Sequence, residues 1–160
     1  MIEGYSRKAM FIPPGEGRKM FVIGHEITVK LATADTAGEA YVFEALTAPG
    51  VGVPPHLHEH EDELLRILRG EYEIFLAGRT FKVTEGAVIN FPRLVPHGFR
   101  NISSESGRAI FTVVPGAKFE KFFDELGALP PAEAPNKSKI AEIFRRYDIT
   151  ILDPVADVTH

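Results

Sequence analysis

Four of the six histidines in the chain lie in two short stretches, and these hold the residues best suited to chemistry. The first stretch reads PPHLHEHEDE and carries His56, His58, His60, Glu61, Asp62 and Glu63. The second reads FPRLVPHGFRN and carries His97. On an extended strand, residues i and i+2 face the same side, roughly 6.6 Å apart at Cα. His56 and His58 can therefore point inward together. The backbone needs a few residues to turn before Glu63 faces the same interior, and His97 must arrive from another strand. Three imidazoles and a carboxylate converging inside a β-structure make a site for one divalent transition ion. Imidazole suits iron, manganese, nickel, copper and zinc, and the carboxylate adds a hard anionic donor. An acidic, His-rich surface loop would give a similar local string and bind metal casually.

For these residues to meet, the chain between them must fold back repeatedly. Short runs rich in Val, Ile, Phe and Thr alternate with Gly, Pro or polar breaks. They predict strands near 19–23, 26–33, 40–48, 56–58, 62–69, 71–77, 79–83, 87–91, 97–101 and 108–114. Gly70, Gly78 and Gly86 fall eight residues apart and mark tight connections where positive φ is needed. No crossover helix fits between these strands, so an all-β sandwich or barrel is expected rather than a βαβ fold. Strand parity turns Glu63, Leu65 and Ile67 inward, with Arg66 outward. Tyr72, Ile74 and Leu76 are set inward because the opposite face would bury Glu71 and Glu73 without partners. Phe99 and Asn101 share the face of His97, and Phe91 and Phe111 are further candidates for the pocket wall. Such a wall suits a flat, apolar, oxygen-bearing ligand, or simply fills a small barrel.

The tail changes character. Phe119, Phe122, Phe123 and Leu126 recur at helical spacing between Gly116 and Gly127. A Pro-rich linker over Leu129–Pro135 follows. Ile140, Ile143, Phe144 and Tyr147 then repeat the helical spacing, with Asn136 or Ser138 as the N-cap. Ile149, Ile151 and Leu152 suggest a last short strand. Both apolar stripes are expected to cover an open face of the barrel or pack on a partner chain.

At this point the spacing resembles a known family. Gly50, five residues, His56-x-His58, four residues, Glu63, six residues, Gly70 looks like the first cupin motif. Gly86, five residues, Pro92, then His97, three residues, Asn101 is similar to the second, with Leu94 standing where that motif usually has Gly. The flanks resemble single-domain, quercetin 2,3-dioxygenase-like cupins. The resemblance implies a cupin jelly-roll β-barrel over residues 1–114 with a C-terminal helical extension over 115–160, all one domain. It implies His56, His58, Glu63 and His97 as ligands to one divalent transition metal ion (Fe, Mn, Ni, Cu or Zn). It also implies that Glu63 can act as a catalytic base toward a substrate hydroxyl. The family spacing skips His60, which is expected near the mouth of the site. A rival set of His58, His60, His97 and Glu63 remains the alternative.

The 160 residues are 44% apolar and 25% charged, which fits one globular domain and not a disordered chain. A net charge of −4, with no Lys/Arg run, argues against a nucleic-acid partner. No apolar run is long enough to cross a bilayer. No secretory signal is visible and cysteine is absent, so a cytoplasmic location is expected and thiolate chemistry is excluded. No phosphate loop, serine elbow or His-Glu-x-x-His helix competes with the histidine cluster. The expected function is a mononuclear metal-dependent dioxygenase-like enzyme on a small aromatic or enolic, oxygenated substrate. The alternatives are a non-enzymatic metal- or ligand-sensing module and a metal-dependent isomerase or hydrolytic enzyme. A homodimer is expected, because the strand-like segment 19–33 could pair across a two-fold axis.

Overall fold

The computed structural model describes residues 7–130 and 136–152. The β-rich stretches form β1 (Arg18–Val22), β2 (His25–Leu31), β3 (Tyr41–Thr47), β4 (Gly52–His58), β5 (Asp62–Arg69) and β6 (Tyr72–Leu76). They continue as β7 (Arg79–Val83), β8 (Val88–Phe91), β9 (His97–Asn101) and β10 (Gly107–Val114). Helices α1 (Ala117–Gly127) and α2 (Lys137–Arg146) follow, and β11 (Ile149–Ile151) closes the described chain. Every expected strand is present. The one expected at 56–58 is longer, because it runs through Pro54 and Pro55. Proline cannot donate to a ladder, and the pairing of β4 with β9 steps from Val53 directly to His56. The two prolines sit in that irregularity, where no N–H is required.

The strands make two antiparallel sheets. One has the order β1-β2-β3-β10-β5-β8 and the other β11-β4-β9-β6-β7. Their inner faces carry the apolar residues of a jelly roll. Among the described residues no ladder joins one sheet to the other, so the expected closed barrel is an open two-sheet roll. Aromatic side chains close one side in place of hydrogen bonds. Phe119 of α1 lies 6.0 Å, centroid to centroid, from Phe43 on one sheet and 5.6 Å from His58 on the other.

Alternation works as expected along β5, where Glu63, Leu65 and Ile67 are buried and Leu64 and Arg66 exposed. On β6, Tyr72 and Ile74 are buried and Leu76 half-buried. Gly70, Gly78 and Gly86 all have positive φ, at 101°, 82° and 89°. The α1 stripe buries Phe119, Phe122 and Leu126. Asn136, not Ser138, caps α2: its side chain accepts a 3.1 Å hydrogen bond from the Lys139 N–H. Phe122 meets Phe144 of α2 edge to face at 5.0 Å. β11 then pairs with β4, setting Ile149 opposite His58 and Ile151 opposite His56, so the tail covers the edge of the histidine-bearing strand. Residues 131–135 of the expected linker lie outside the described residues. No helix among the described residues is long and apolar enough to cross a membrane.

Candidate metal centre

The two sheets share the centre between them. β4 supplies His56 and His58, β9 supplies His97, and β5 of the facing sheet supplies Glu63. The β4–β9 register sets His56 opposite His97, with ring centroids 4.4 Å apart. These strands meet closely because Gly52 has no side chain; a Cβ there would lie 1.9 Å from the Phe99 carbonyl oxygen. One candidate donor atom from each of the four residues falls within 4.8 Å of the other three, and all four residues are buried.

Backbone carbonyls orient two of the rings. His56 donates from Nδ1 to the Pro54 carbonyl (2.8 Å), and His97 donates from Nδ1 to the Val95 carbonyl (3.0 Å). Each therefore leaves Nε2 for the centre, the arrangement expected of an oriented metal-ligating imidazole. Glu63 Oε2 sits 3.2 Å from His97 Nε2 and 3.8 Å from His58 Nε2. Burial works against ionisation of Glu63, but the His97 contact and the surrounding imidazoles outweigh it, and its carboxyl stays below its ordinary value. Burial, reinforced by the other two imidazoles, pushes His56 down to about 3. A ring nitrogen that already donates through Nδ1 presents a lone pair at Nε2. A lone pair and a carboxylate oxygen 3.2 Å apart need a cation between them, either a proton or a metal ion. Both ring nitrogens of His58 are buried without a hydrogen-bond partner. The donor set and these unpaired atoms fit a divalent transition ion.

Sequence reasoning assigned no role to Glu61. It is 2% exposed, and its Oε2 lies 3.5 Å from His58 Nδ1, on the side away from Glu63. The contact is longer than a hydrogen bond of normal geometry, and it sets a buried carboxylate behind the ring, where such a group can favour one ring orientation once an ion binds. The signal was present as a carboxylate three residues beyond His58, across the turn. His60 takes no part in the centre. It is exposed, 3.0 Å from Asp148 Oδ2, so the structure does not assemble the rival set. Leu94, in the turn before His97, has φ of 64°, the conformation its Gly counterpart would adopt freely. Its N–H donates to the His58 carbonyl (2.8 Å), tying this turn to β4.

A partly open cavity of about 70 Å³ adjoins His56, His58 and Glu63. Phe99 and Phe111 line it as expected. Tyr72, Ile74, Leu65, Ile67 and Phe91 do not; they are buried in the core, where Phe91 stacks on His97 at 4.3 Å. More of the wall comes from residues that sequence reasoning did not place there: Phe43 of β3, His25 and Ile27 of β2, and, from the helix expected only to cover or pack, Phe119, Phe122 and Phe123 of α1.

An antiparallel two-sheet roll with inward imidazoles and a carboxylate defines a β-fold built around an interior polar centre. Residues 43–114, somewhat under half of the chain, match the family described as a cupin domain. Polyketide synthase CurC from Streptomyces cyaneus is 30% identical over 87 residues, which cover 53% of this chain and 56% of that protein. The match thus spans little more than half of that relative's length. KdgF from a Halomonas species superposes with a TM-score of 0.60 at 19% identity, covering 68% of this chain and 94% of its own. The polyketide cyclase RemF from Streptomyces resistomycificus gives 0.58 at 24% identity, covering 68% of this chain and 80% of its own. At these identities the structural likeness establishes the fold alone.

Proposed function

We propose that this protein is a mononuclear metal-dependent enzyme acting on a small, largely apolar molecule that carries oxygen donors. His56, His58, Glu63 and His97 would hold the ion. The observation that carries this reading is the buried Glu63 carboxylate 3.2 Å from Nε2 of His97, a ring that already donates through Nδ1, a pairing that calls for a cation. A divalent ion there supplies Lewis acidity toward a substrate oxygen. The chain's own groups do the rest. The phenyl rings of α1 and β3 exclude water and orient an apolar body. Glu63, kept ionised, can accept a substrate proton at any carboxylate oxygen left free of the ion. Dioxygenation of an enolic or phenolic substrate, as in quercetin 2,3-dioxygenase-like cupins, is the reaction we put first. A cavity of about 70 Å³ has room for a handful of waters or a few carbon atoms. A flavonol would enter only with the α1 rings moved aside.

A second reading is favoured by the likeness to CurC and RemF, whose names describe a polyketide synthase and a polyketide cyclase. It is a metal-dependent cyclase or isomerase acting on an oxygen-rich chain. The deciding experiment loads the protein separately with iron, manganese, nickel, copper and zinc. It follows O₂ uptake and substrate loss with flavonols and β-diketones. We expect one ion per chain and O₂ consumption that His97→Ala abolishes. Conversion without O₂ would support the cyclase or isomerase reading. Binding without conversion would support a ligand-binding module and contradict the enzyme. A homodimer is consistent with Phe21, 61% exposed on edge strand β1, and sedimentation would test it.

A further inference from the structure

His25 opens β2, far from either histidine stretch, and lines the same cavity as His56, His58 and Glu63. It is only 5% exposed. Its Nδ1 shares a 2.9 Å hydrogen bond with Thr47 Oγ1, directly across the β2–β3 ladder. Its Nε2 is buried with no hydrogen bond of normal geometry, although the Gly52 carbonyl lies beside the ring. The ring packs against Phe99, centroids 5.7 Å apart. Phe99 is two residues beyond His97 on the same face of β9, roughly 6.6 Å along the strand. His25 and the candidate metal centre therefore face one apolar cavity, about one short ligand apart.

A purely packing role would be better served by leucine or phenylalanine, since an unpaired buried nitrogen opposes folding. We propose that His25 anchors the ligand: its Nε2 holds a hydroxyl oxygen of the same small molecule whose other end reaches the His56–His58–Glu63–His97 centre. This rests on reading that centre as a metal site. The hydroxyl follows from the tautomers. If Nδ1–H donates to Thr47, Nε2 accepts; if Thr47 donates to Nδ1, Nε2–H donates. A hydroxyl satisfies either form, whereas a carbonyl or an ammonium satisfies only one. Burial pushes His25 down to about 4, against the opposing pull of the Gly52 carbonyl, so at neutral pH one tautomer or the other is present. The ligand class is a short apolar body with a metal-binding oxyanion at one end and a hydroxyl at the other.

The test uses zinc-loaded, full-length protein and calorimetric titration. Three ω-hydroxy acids, 3-hydroxypropanoate, 4-hydroxybutanoate and 5-hydroxypentanoate, are compared with the alkanoates butanoate, pentanoate and hexanoate, in which methyl replaces hydroxyl. At one chain length the hydroxy acid should bind about 10-fold more tightly than its isostere. His25→Leu should erase that preference while leaving zinc content unchanged. His25→Gln, which keeps a hydrogen-bonding nitrogen near the Nε2 position, should retain part of it. Thr47→Val should weaken it by freeing the ring, and it decides the matter if His25→Leu does not fold. No preference at any length, or a preference that survives His25→Leu, overturns the anchoring role, and Nε2 then meets only cavity water. If the wild-type protein takes up no zinc, the metal reading itself fails and the anchor with it. Zinc and alkanoate binding without hydroxyl preference refutes only the anchor.

Discussion

Two groups of imidazoles and carboxylates both draw on the stretch from His56 to Glu63, each completed by a residue distant in the chain, and they end in opposite environments. His56, His58, Glu63 and His97 are buried, with two rings fixed by backbone carbonyls and a third backed by Glu61. Glu59, His60 and Asp148 also lie close enough to share an ion, but His60 and Glu59 are exposed. There His60 pairs with Asp148 at 3.0 Å, and the Lys118 ammonium already occupies the same carboxylate oxygen. An ion at the exposed group must displace a lysine and compete with water for flexible side chains. At the buried group the donors are already aimed and barely exposed to bulk solvent. The buried group offers three imidazoles and one carboxylate, the exposed group one imidazole and two carboxylates; orientation and burial separate them further.

The sharpest break of this contrast is His97→Ala. It should reduce metal content from one ion per chain to near zero by elemental analysis. Loss of the stack on Phe91 should itself lower stability by about 0.5–1.5 kcal/mol in chemical unfolding. Unchanged metal content would mean that the ligand set is wrong. Next in size is Glu61→Ala, which leaves His58 without its backing carboxylate. Competition with a chromogenic chelator should show affinity falling about 10–100-fold. An unaltered affinity would reduce Glu61 to a packing role.

Acid sharpens the comparison through His25, a buried imidazole with no carboxylate beside it. Its folded value of about 4 lies below the ordinary 6.5. Below pH 6.5 the unfolded chain takes up a proton that the folded chain refuses. Stability present above 6.5 is therefore lost as pH falls toward 4. Between pH 7 and 4.5 this group should remove about 2–3 kcal/mol from the metal-free protein, measured by urea unfolding. His25→Leu should be spared that share. Leu94→Gly should have a smaller effect, raising stability by up to about 1 kcal/mol. It relieves a left-handed leucine, costing roughly 1–2 kcal/mol, against a glycine entropy penalty of roughly 0.5–1. Metal affinity should not change. His60→Ala should have the smallest effect, with metal content and stability near wild type; loss of metal would promote the exposed group.

The four candidate ligands were legible through the motif spacing that the chain shares with cupins; strand parity alone would also turn His60 to the face of His58. His56-x-His58 and the step to Glu63 are local geometry, and His97 carries its own motif. The cavity wall was less legible. Parity says that Tyr72, Ile74 and Leu65 face inward, but not which layer of the interior they fill, and they fill the core rather than the cavity. The α1 stripe announced itself as apolar, yet only the fold shows Phe119 against His58. The Thr47 partner that leaves His25 Nε2 free lies across the β2–β3 pair, and no local pattern encodes it. Likewise, β11 reads as a stray apolar triplet until its pairing along β4 is seen.

The central claim is that one ion sits between the sheets and not at the neighbouring exposed group. Anomalous diffraction at the zinc edge from zinc-loaded crystals tests it directly. The account predicts a single strong peak about 2.1 Å from an imidazole nitrogen of each of His56, His58 and His97, and at a similar distance from a Glu63 carboxylate oxygen. A peak between Glu59, His60 and Asp148, with none inside the roll, would contradict it.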